Sequence, residues 1–196
     1  MMAAGRAAEC GARVVLLEKN SSLGKKLLIT GGGRCNVTNE EYNMRTFLSF
    51  FKKNSQFLFS AFARWGVKET LDFFHERNME TKTEAEKRVF PKSNSAQSVW
   101  NVLVGYMKEG NVAILPNSPV AGLLAQDQTI ESILLKDKTR IQADSYILAT
   151  GGKSRPETGS TGDGFAWLKE IGHTVVEPNM ALVPVVVQET WVKKLQ

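Results

Sequence analysis

Glu18 closes an apolar run that begins after Arg13, and a loop of Thr30, Gly31, Gly32, Gly33, Arg34, Cys35 and Asn36 begins within a dozen residues of it. A carboxylate at the carboxyl end of a parallel strand sits where open α/β sheets bind their ligands, and it can accept both hydroxyls of an adenosine ribose. Glu18 is the candidate for that role, although a lone acid at a strand end is more often merely solvated. Three successive glycines permit left-handed backbone and bring N–H groups close to a ligand with no side chain in the way. A plain linker would continue with polar filler. Here a cation, a thiol and an amide follow, and Arg34 and Asn36 can hold phosphate or ring oxygens. Lys25 and Lys26 add charge nearby or form a solvated face. A second apolar run, ILATGG at 147–152, ends in Thr150, Gly151 and Gly152. Such small residues let the chain pass tightly by a cofactor, or simply make a strand-to-loop turn.

Helices and strands must position these groups. Residues 1–10 read as a helix stopped by Gly11, ahead of a strand over 13–18. From Asn43 to Gly110 the period becomes helical. Phe47, Phe51, Leu58, Phe62 and Trp65 form one face; Val67, Leu71 and Phe74 form another, with Gly66 between. Asn94 or Ser95 caps a third helix that carries Ala96, Val99, Leu103 and Tyr106 on one side. RVFPKS, at 88–93, reads as a basic turn before it. Short strands return at 112–115, 120–126, 129–136, 139–143 and 145–150, with tight turns at Asp127 and Gln128 and at Asp137 and Lys138. The first and last are expected in the main parallel sheet, and the middle three as an antiparallel meander. Residues 158–173 read as a glycine-rich loop feeding a helix, with Asp163 as N-cap and Gly172 at the far end. That helix start can face an anion, or it can act as a packing hinge.

The formal charge of +5 suits an anionic dinucleotide as well as a nucleic acid. RVFPKS together with Lys52, Lys53, Lys82 and Lys87 comes with no RNA-binding motif and no stacking array, so nucleic acid is not an expected partner. The sequence has no run of about 20 apolar residues and no signal-peptide pattern. A membrane partner is not expected, and the cytoplasm is the expected location. Two cysteines without C-x-x-C spacing or a histidine cluster argue against a metal site. Cys10 reads as helix core. Cys35 lies beside Arg34, whose cation favours a thiolate, although packing is its favoured role. His75 has no acid at a telling spacing, and His173, just past a helix end, reads as a surface residue that suits the helix dipole, so no catalytic residue is assigned.

LLEKN (16–20), GKKLLITGGGRCNVTN (24–39), RVFPKS (88–93), ILATGG (147–152) and TGSTGDGFAWLKEIGH (158–173) occur in that order along the chain. Together they closely resemble the BaiN-like flavoproteins, bacterial FAD-dependent NAD(P)/FAD oxidoreductases that include the YhiN and aminoacetone oxidase-like proteins. The resemblance implies an α/β fold: a partial FAD-binding, Rossmann-like domain of the glutathione reductase type, with an antiparallel β-meander and a helical insertion. It implies FAD as cofactor, hydride transfer through it, NAD(P)H or oxygen to complete the cycle, and a small-molecule substrate. It also implies cofactor contacts at Glu18, Lys19, Lys26, Thr30, Gly31, Gly32, Gly33, Arg34, Cys35, Asn36, Val120, Thr150, Gly151 and Gly152. Residues 30–36 would run near the isoalloxazine and ribityl chain, and Val120 would contact adenine; Val120 reads equally well as an ordinary inward strand valine.

In this family a glycine fingerprint precedes the ribose acid by about 20 residues, and the chain continues well past the LVP element seen here at 182–184. A partial chain is therefore expected. Its divisions would be the first part of the FAD domain (1–42), a helical insertion (43–110), the rest of the FAD domain with its meander (111–160) and the start of a second domain (161–196). Two other readings stay open. One is a non-catalytic remnant or interaction module that does not retain FAD. The other, a nicotinamide-binding domain, rests on Glu18 alone and is opposed by GGGRCNVTN.

Overall fold

A computed structural model describes residues 1–127 and 129–179. Helix α1 (Met2–Glu9) ends at Gly11, where φ is +89°. There the N–H of Gly11 reaches Ala8 O at 2.9 Å and that of Ala12 reaches Ala7 O at 3.1 Å. This paired closure needs a left-handed residue, which glycine supplies without a Cβ penalty. Strand β1 (Val15–Leu17) follows. Next come α2 (Lys25–Ile29), a tight turn (Thr30–Gly33) and β2 (Thr38–Asn39). The middle of the chain holds α3 (Met44–Ser49), α4 (Ser55–Arg64), α5 (Val67–His75), β3 (Thr81–Thr83), β4 (Arg88–Pro91) and α6 (Ala96–Glu109). The last elements are β5 (Ala113–Leu115), β6 (Val120–Gln126), β7 (Thr129–Leu135), β8 (Arg140–Ile141) and α7 (Asp163–Glu170).

Strands β1 and β5 pair in parallel, Val15 opposite Ala113 and Leu17 opposite Leu115. The ladder runs on to the acid, because Glu18 N–H donates to Leu115 O at 3.0 Å. Strands β6, β7 and β8 form the expected antiparallel meander. Its second turn is fixed by Lys138 at φ +72° and by Asp137 Oδ1, which accepts from Thr139 N–H at 2.9 Å. Helix α6 is the spine of the core. Ser95 is its N-cap, the side chain accepting from Gln97 N–H at 3.2 Å, and Ala96, Val99, Leu103 and Tyr106 are buried as their spacing requires. Met107 is fully buried on the flank that packs against Ala4 and Leu23. Burying a side chain of this size contributes about 1.5–3 kcal/mol.

The segment expected to be wholly helical carries a sheet as well. Strand β4 lies between β2 and β3 in an antiparallel trio, with Val89 1% and Phe90 2% exposed, so RVFP is a central strand and only Lys92 and Ser93 form the basic turn expected of the whole motif. Burial on both faces decides it: the cluster of Val67 and Leu71 closes over Val89, while the Arg34 guanidinium lies on the Phe90 ring. The first helical face is also split. A single 3-10 turn (Lys52–Asn54) separates α3 from α4, and the rings of Phe47 and Phe62 join them across the break, 4.9 Å apart.

Residues 145–150 form no strand, against expectation. Ile147 and Leu148 are 66% and 40% exposed, and among the described residues no backbone hydrogen bond pairs this run with a neighbour. An apolar run becomes a strand only through a ladder partner and a face to pack on. The run is held by side chains instead: Tyr146 OH donates to Glu131 O at 2.9 Å, and Leu148 and Thr150 lie against Gly164 in α7. The expected second-domain segment supplies α7, while the LVP element and Gln128 lie outside the described residues. No helix among those residues is long and apolar enough to cross a membrane.

Candidate functional site

The tip of β1 gathers groups from four parts of the chain. Glu18 Oε1 accepts from both the backbone N–H and the side-chain amide of Asn20, each at 2.8 Å. The same amide donates to Thr158 O at 3.1 Å. Ser118 N–H donates to Glu18 O and Asn117 N–H to Asn20 O, both at 2.9 Å, which brings the start of β6 and Val120 to this tip. Lys19 Nζ reaches Thr161 Oγ1 at 2.6 Å and Asp163 Oδ2 at 2.9 Å. Gly159 makes the approach possible: at φ +99°, a Cβ there would stand 2.7 Å from Asn20 Nδ2 and 3.2 Å from Lys19 Cε.

The hydrogen bond from Lys19, followed by that from Thr161, holds the Asp163 carboxyl below its ordinary range. A carboxylate depressed in the folded state contributes stability above its unfolded pKa, and that contribution is lost as pH falls through the folded one. The tie should therefore be intact at neutral pH and release only below about pH 4. The stability difference between wild type and Lys19→Met, followed from pH 7 to pH 2, should be constant at first and shrink only in that acid window. Asp163 is not the N-cap that its position suggested. Gly162 caps the helix in a left-handed conformation at φ +80°, and Asp163 is the first helical residue, its carboxylate drawn toward Lys19.

Thr150, Gly151 and Gly152 join the same region through α7. A Cβ on Gly164 would strike Thr150 Oγ1, and one on Gly151, which has φ +76°, would meet Ser160 Oγ at 3.5 Å. Among the described residues, nothing lies within 4 Å of a Cβ placed on Gly152. The far end of α7 closes as expected, with Gly172 at φ +92° and His173 N–H reaching Leu168 O at 2.9 Å.

The triple-glycine turn has Gly31, Gly32 and Gly33 at φ +55°, +66° and +82°, followed by Cys35 at +58°. Successive N–H groups in such a run line a concavity that suits an anion or a polar ring edge. Gly31 faces the protein, where a Cβ would meet Asn36 N at 3.0 Å and Phe90 Cε1 at 3.2 Å. Among the described residues, Gly32 has no heavy atom within 4 Å of such a Cβ, and Gly33 has only Leu28 O at 3.8 Å. The turn thus has one closed face and one open face. Thr30 Oγ1 donates to Leu27 O at 2.7 Å, and Lys26 forms no ion pair among the described residues.

Two side chains expected to meet a ligand are engaged with the protein. Arg34 Nη1 pairs with both Glu84 oxygens, at 2.9 and 3.1 Å, and its guanidinium carbon lies 4.0 Å from the Phe90 ring centre. The Asn36 amide nitrogen, oriented as a donor, reaches Thr38 O at 2.9 Å and Val89 O at 3.1 Å. Cys35 is buried in the cluster of Phe73, Phe74 and Met79, and burial pushes its thiol up, with a weaker opposing hydrogen bond from Thr30. The thiolate expectation is corrected accordingly: the neighbouring cation points to Glu84, and desolvation wins. Cys10, expected in the core, is exposed at the end of α1.

The structure therefore makes two groups of these residues. Glu18, Lys19, Thr150 and Gly151 converge around 158–164, with Val120 two residues beyond the Ser118 contact to Glu18, whereas 30–36 are braced by Glu84 and β4. No hydrogen bond among the described residues joins the two groups. Sequence reasoning did not find Asn20, Thr161 or Glu84. Gly159 and Gly162 were the available signal for the first two, since glycines spaced so closely ahead of a helix often mark a tight approach. An FAD fits what is present in three respects: an acid at a parallel strand tip, an open left-handed glycine turn, and a second glycine pair with open space at Gly152.

Residues 1–189 match the family described as "HI0933-like protein Rossmann domain". The chain is 33% identical over 178 residues to a 3-dehydro-bile acid delta(4,6)-reductase of Clostridium scindens, covering 91% of this chain and 42% of that protein. It is 29% identical over 196 residues to a ribosomal RNA dihydrouridine synthase of Escherichia coli, covering 100% of this chain and 48% of that protein. A ribosomal RNA dihydrouridine synthase of Haemophilus influenzae is 29% identical over 192 residues, 97% of this chain and 47% of that protein. The chain thus spans less than half the length of the curated relatives it matches.

Proposed function

Because the chain belongs to the HI0933-like protein Rossmann domain family, we propose that it forms the FAD-binding part of a flavin-dependent oxidoreductase that saturates a carbon–carbon double bond. The two activities named among its relatives share that chemistry. By their names, a delta(4,6)-reductase of a 3-dehydro bile acid and a synthase of dihydrouridine both add hydrogen to a ring carbon–carbon double bond that is conjugated with a carbonyl. The bound flavin would supply hydride chemistry, with NAD(P)H as the source of electrons, and the protein would hold and orient it.

This chain's own residues would do the following. Glu18 accepts the ribose hydroxyls with the carboxylate oxygen that Asn20 leaves available. Lys19 is spent on Asp163 and Thr161; it fixes the wall of the crevice and leaves the ligand to others. Gly31 to Gly33 present backbone N–H groups to polar edges of the cofactor, and Thr150 to Gly152 allow a close pass of the main chain. The observation that carries the reading is the open face of the left-handed turn, where Gly32 has no neighbour among the described residues at the position a side chain would take.

A second reading, that the chain binds no flavin, is favoured by one observation: Ile147 and Leu148 stay exposed, with no ladder partner among the described residues. A visible spectrum separates the two. The purified chain is incubated with FAD and passed through gel filtration. An equimolar flavin spectrum eluting with the protein is expected. A colourless protein peak at every FAD concentration up to saturation of solubility would sink the flavin reading for this chain.

A further inference from the structure

Arg34 sits between two sets of partners. Its backbone belongs to the glycine turn: Arg34 N–H donates to Gly31 O at 3.3 Å and Cys35 N–H to Thr30 O at 3.0 Å. Its side chain reaches the antiparallel sheet: Nη1 is shared between both oxygens of Glu84, the residue that follows β3, and the guanidinium lies over the Phe90 ring. The same Phe90 ring faces Gly31. Glu84 receives a second cation, Lys82, at 3.1 Å. A charge-assisted hydrogen bond combined with stacking over an aromatic face fixes the direction of the guanidinium as well as its distance, which a single ammonium contact does not.

The turn needs such bracing. Left-handed residues in succession are not held by a regular ladder, and the one at Cys35 is a side-chain-bearing residue whose conformation is intrinsically costly. We propose that Arg34 is a latch and not a ligand: with Phe90 and with Glu84 as the positioning residue, it clamps the triple-glycine turn onto β3 and β4, so that the N–H groups of Gly31 to Gly33 are preorganised for the cofactor. The cofactor clause rests on the flavin reading above; the clamp does not.

Hydrogen exchange of the FAD-free chain tests the clamp, and FAD titration tests what the clamp is for. In Glu84→Gln, amides of residues 30–36 should exchange at least several-fold faster while those of α6 stay at wild-type rates, which also shows that the variant folds. Lys82→Gln, which leaves the Arg34 pair in place, should not accelerate them. Unchanged exchange at 30–36 in Glu84→Gln overturns the latch. FAD binding, followed by flavin fluorescence polarisation, should weaken by about threefold to fivefold in Glu84→Gln. Arg34→Gln should weaken it to a similar degree, and the double variant little further, as expected of one shared interaction. If Arg34→Gln weakens FAD while Glu84→Gln does not, Arg34 is a direct ligand and the proposal fails. If wild type takes up no FAD, the flavin reading fails and the exchange arm still decides the clamp.

Discussion

Gly5→Leu should cost the fold about 3 kcal/mol, at the upper end of what overpacking does, read as a drop in the urea midpoint with little change in slope. Helices α1 and α6 touch through small residues. A Cβ on Gly5 would stand 2.6 Å from Tyr106 Cε1, and one on Gly110 would stand 2.5 Å from Ala8 Cβ. The Tyr106 ring cannot step aside cheaply. Its hydroxyl donates to Glu9 Oε2 at 2.8 Å, its face meets the Phe73 ring at a centroid distance of 5.0 Å and 76°, and Arg77 lies 4.7 Å from its centre. A leucine at position 5 must displace that ring or separate the helices, and either movement opens the cluster that buries Cys35 under the glycine turn. Gly105→Ala is the control. A Cβ there meets nothing within 4 Å in the same helix α6, so it should stabilise by about 1 kcal/mol from helix propensity alone. Equal destabilisation by both changes would show that helix geometry, and not the Tyr106 contact, sets the cost.

Glu18→Gln should weaken FAD binding by about 10- to 100-fold, the loss expected for hydrogen bonds to a charged acceptor, while leaving stability within about 0.5 kcal/mol. The carboxylate has two tasks. Oε1 holds Asn20 through two bonds of 2.8 Å, and a glutamine carbonyl can keep both. The second oxygen is the proposed acceptor of the ribose hydroxyls, and an amide NH2 in its place cannot accept. Calorimetric titration with FAD and separately with NADH makes the test sharp. A loss confined to FAD places its ribose on Glu18, a loss confined to NADH favours the nicotinamide reading, and unchanged affinity for both removes Glu18 from any ribose site.

What was legible in the sequence was whatever local spacing decides. Ser95 followed by Ala96, Val99, Leu103 and Tyr106 specifies a capped helix with one buried face, and α6 has that face. The alternating strands with turns at Asp127 and Asp137 specify a meander, and the apolar runs before Glu18 and at 112–115 specify parallel partners. What depended on a distant partner was misread. Val89 and Phe90, bracketed by Arg88 and Pro91, look like a turn until Thr38 on one side and Lys82 and Thr83 on the other are known to flank them. ILAT has the composition of a buried strand, but composition cannot supply the neighbour that would pair with it. Arg34 advertises a cation beside the cysteine, yet the acid that claims it lies 50 positions away. Asp163 looked like a helix cap because Lys19, 144 positions earlier, is invisible to any local window.

That separation bears on the order in which the molecule assembles. The bonds of Lys19 and Asn20 to residues 158–163 close nearly the whole described chain into a loop, and closing a loop costs more entropy the longer it is. Hairpins such as β6–β7 can form early because their partners are close in sequence, whereas the fastening at the tip of β1 becomes favourable only once the elements between have brought its ends together. The wall made by 158–163 is in that sense a late-arriving part. A ligand that bridges Glu18 to that wall would bind only when this fastening is closed, and so would stabilise the closed junction by mass action.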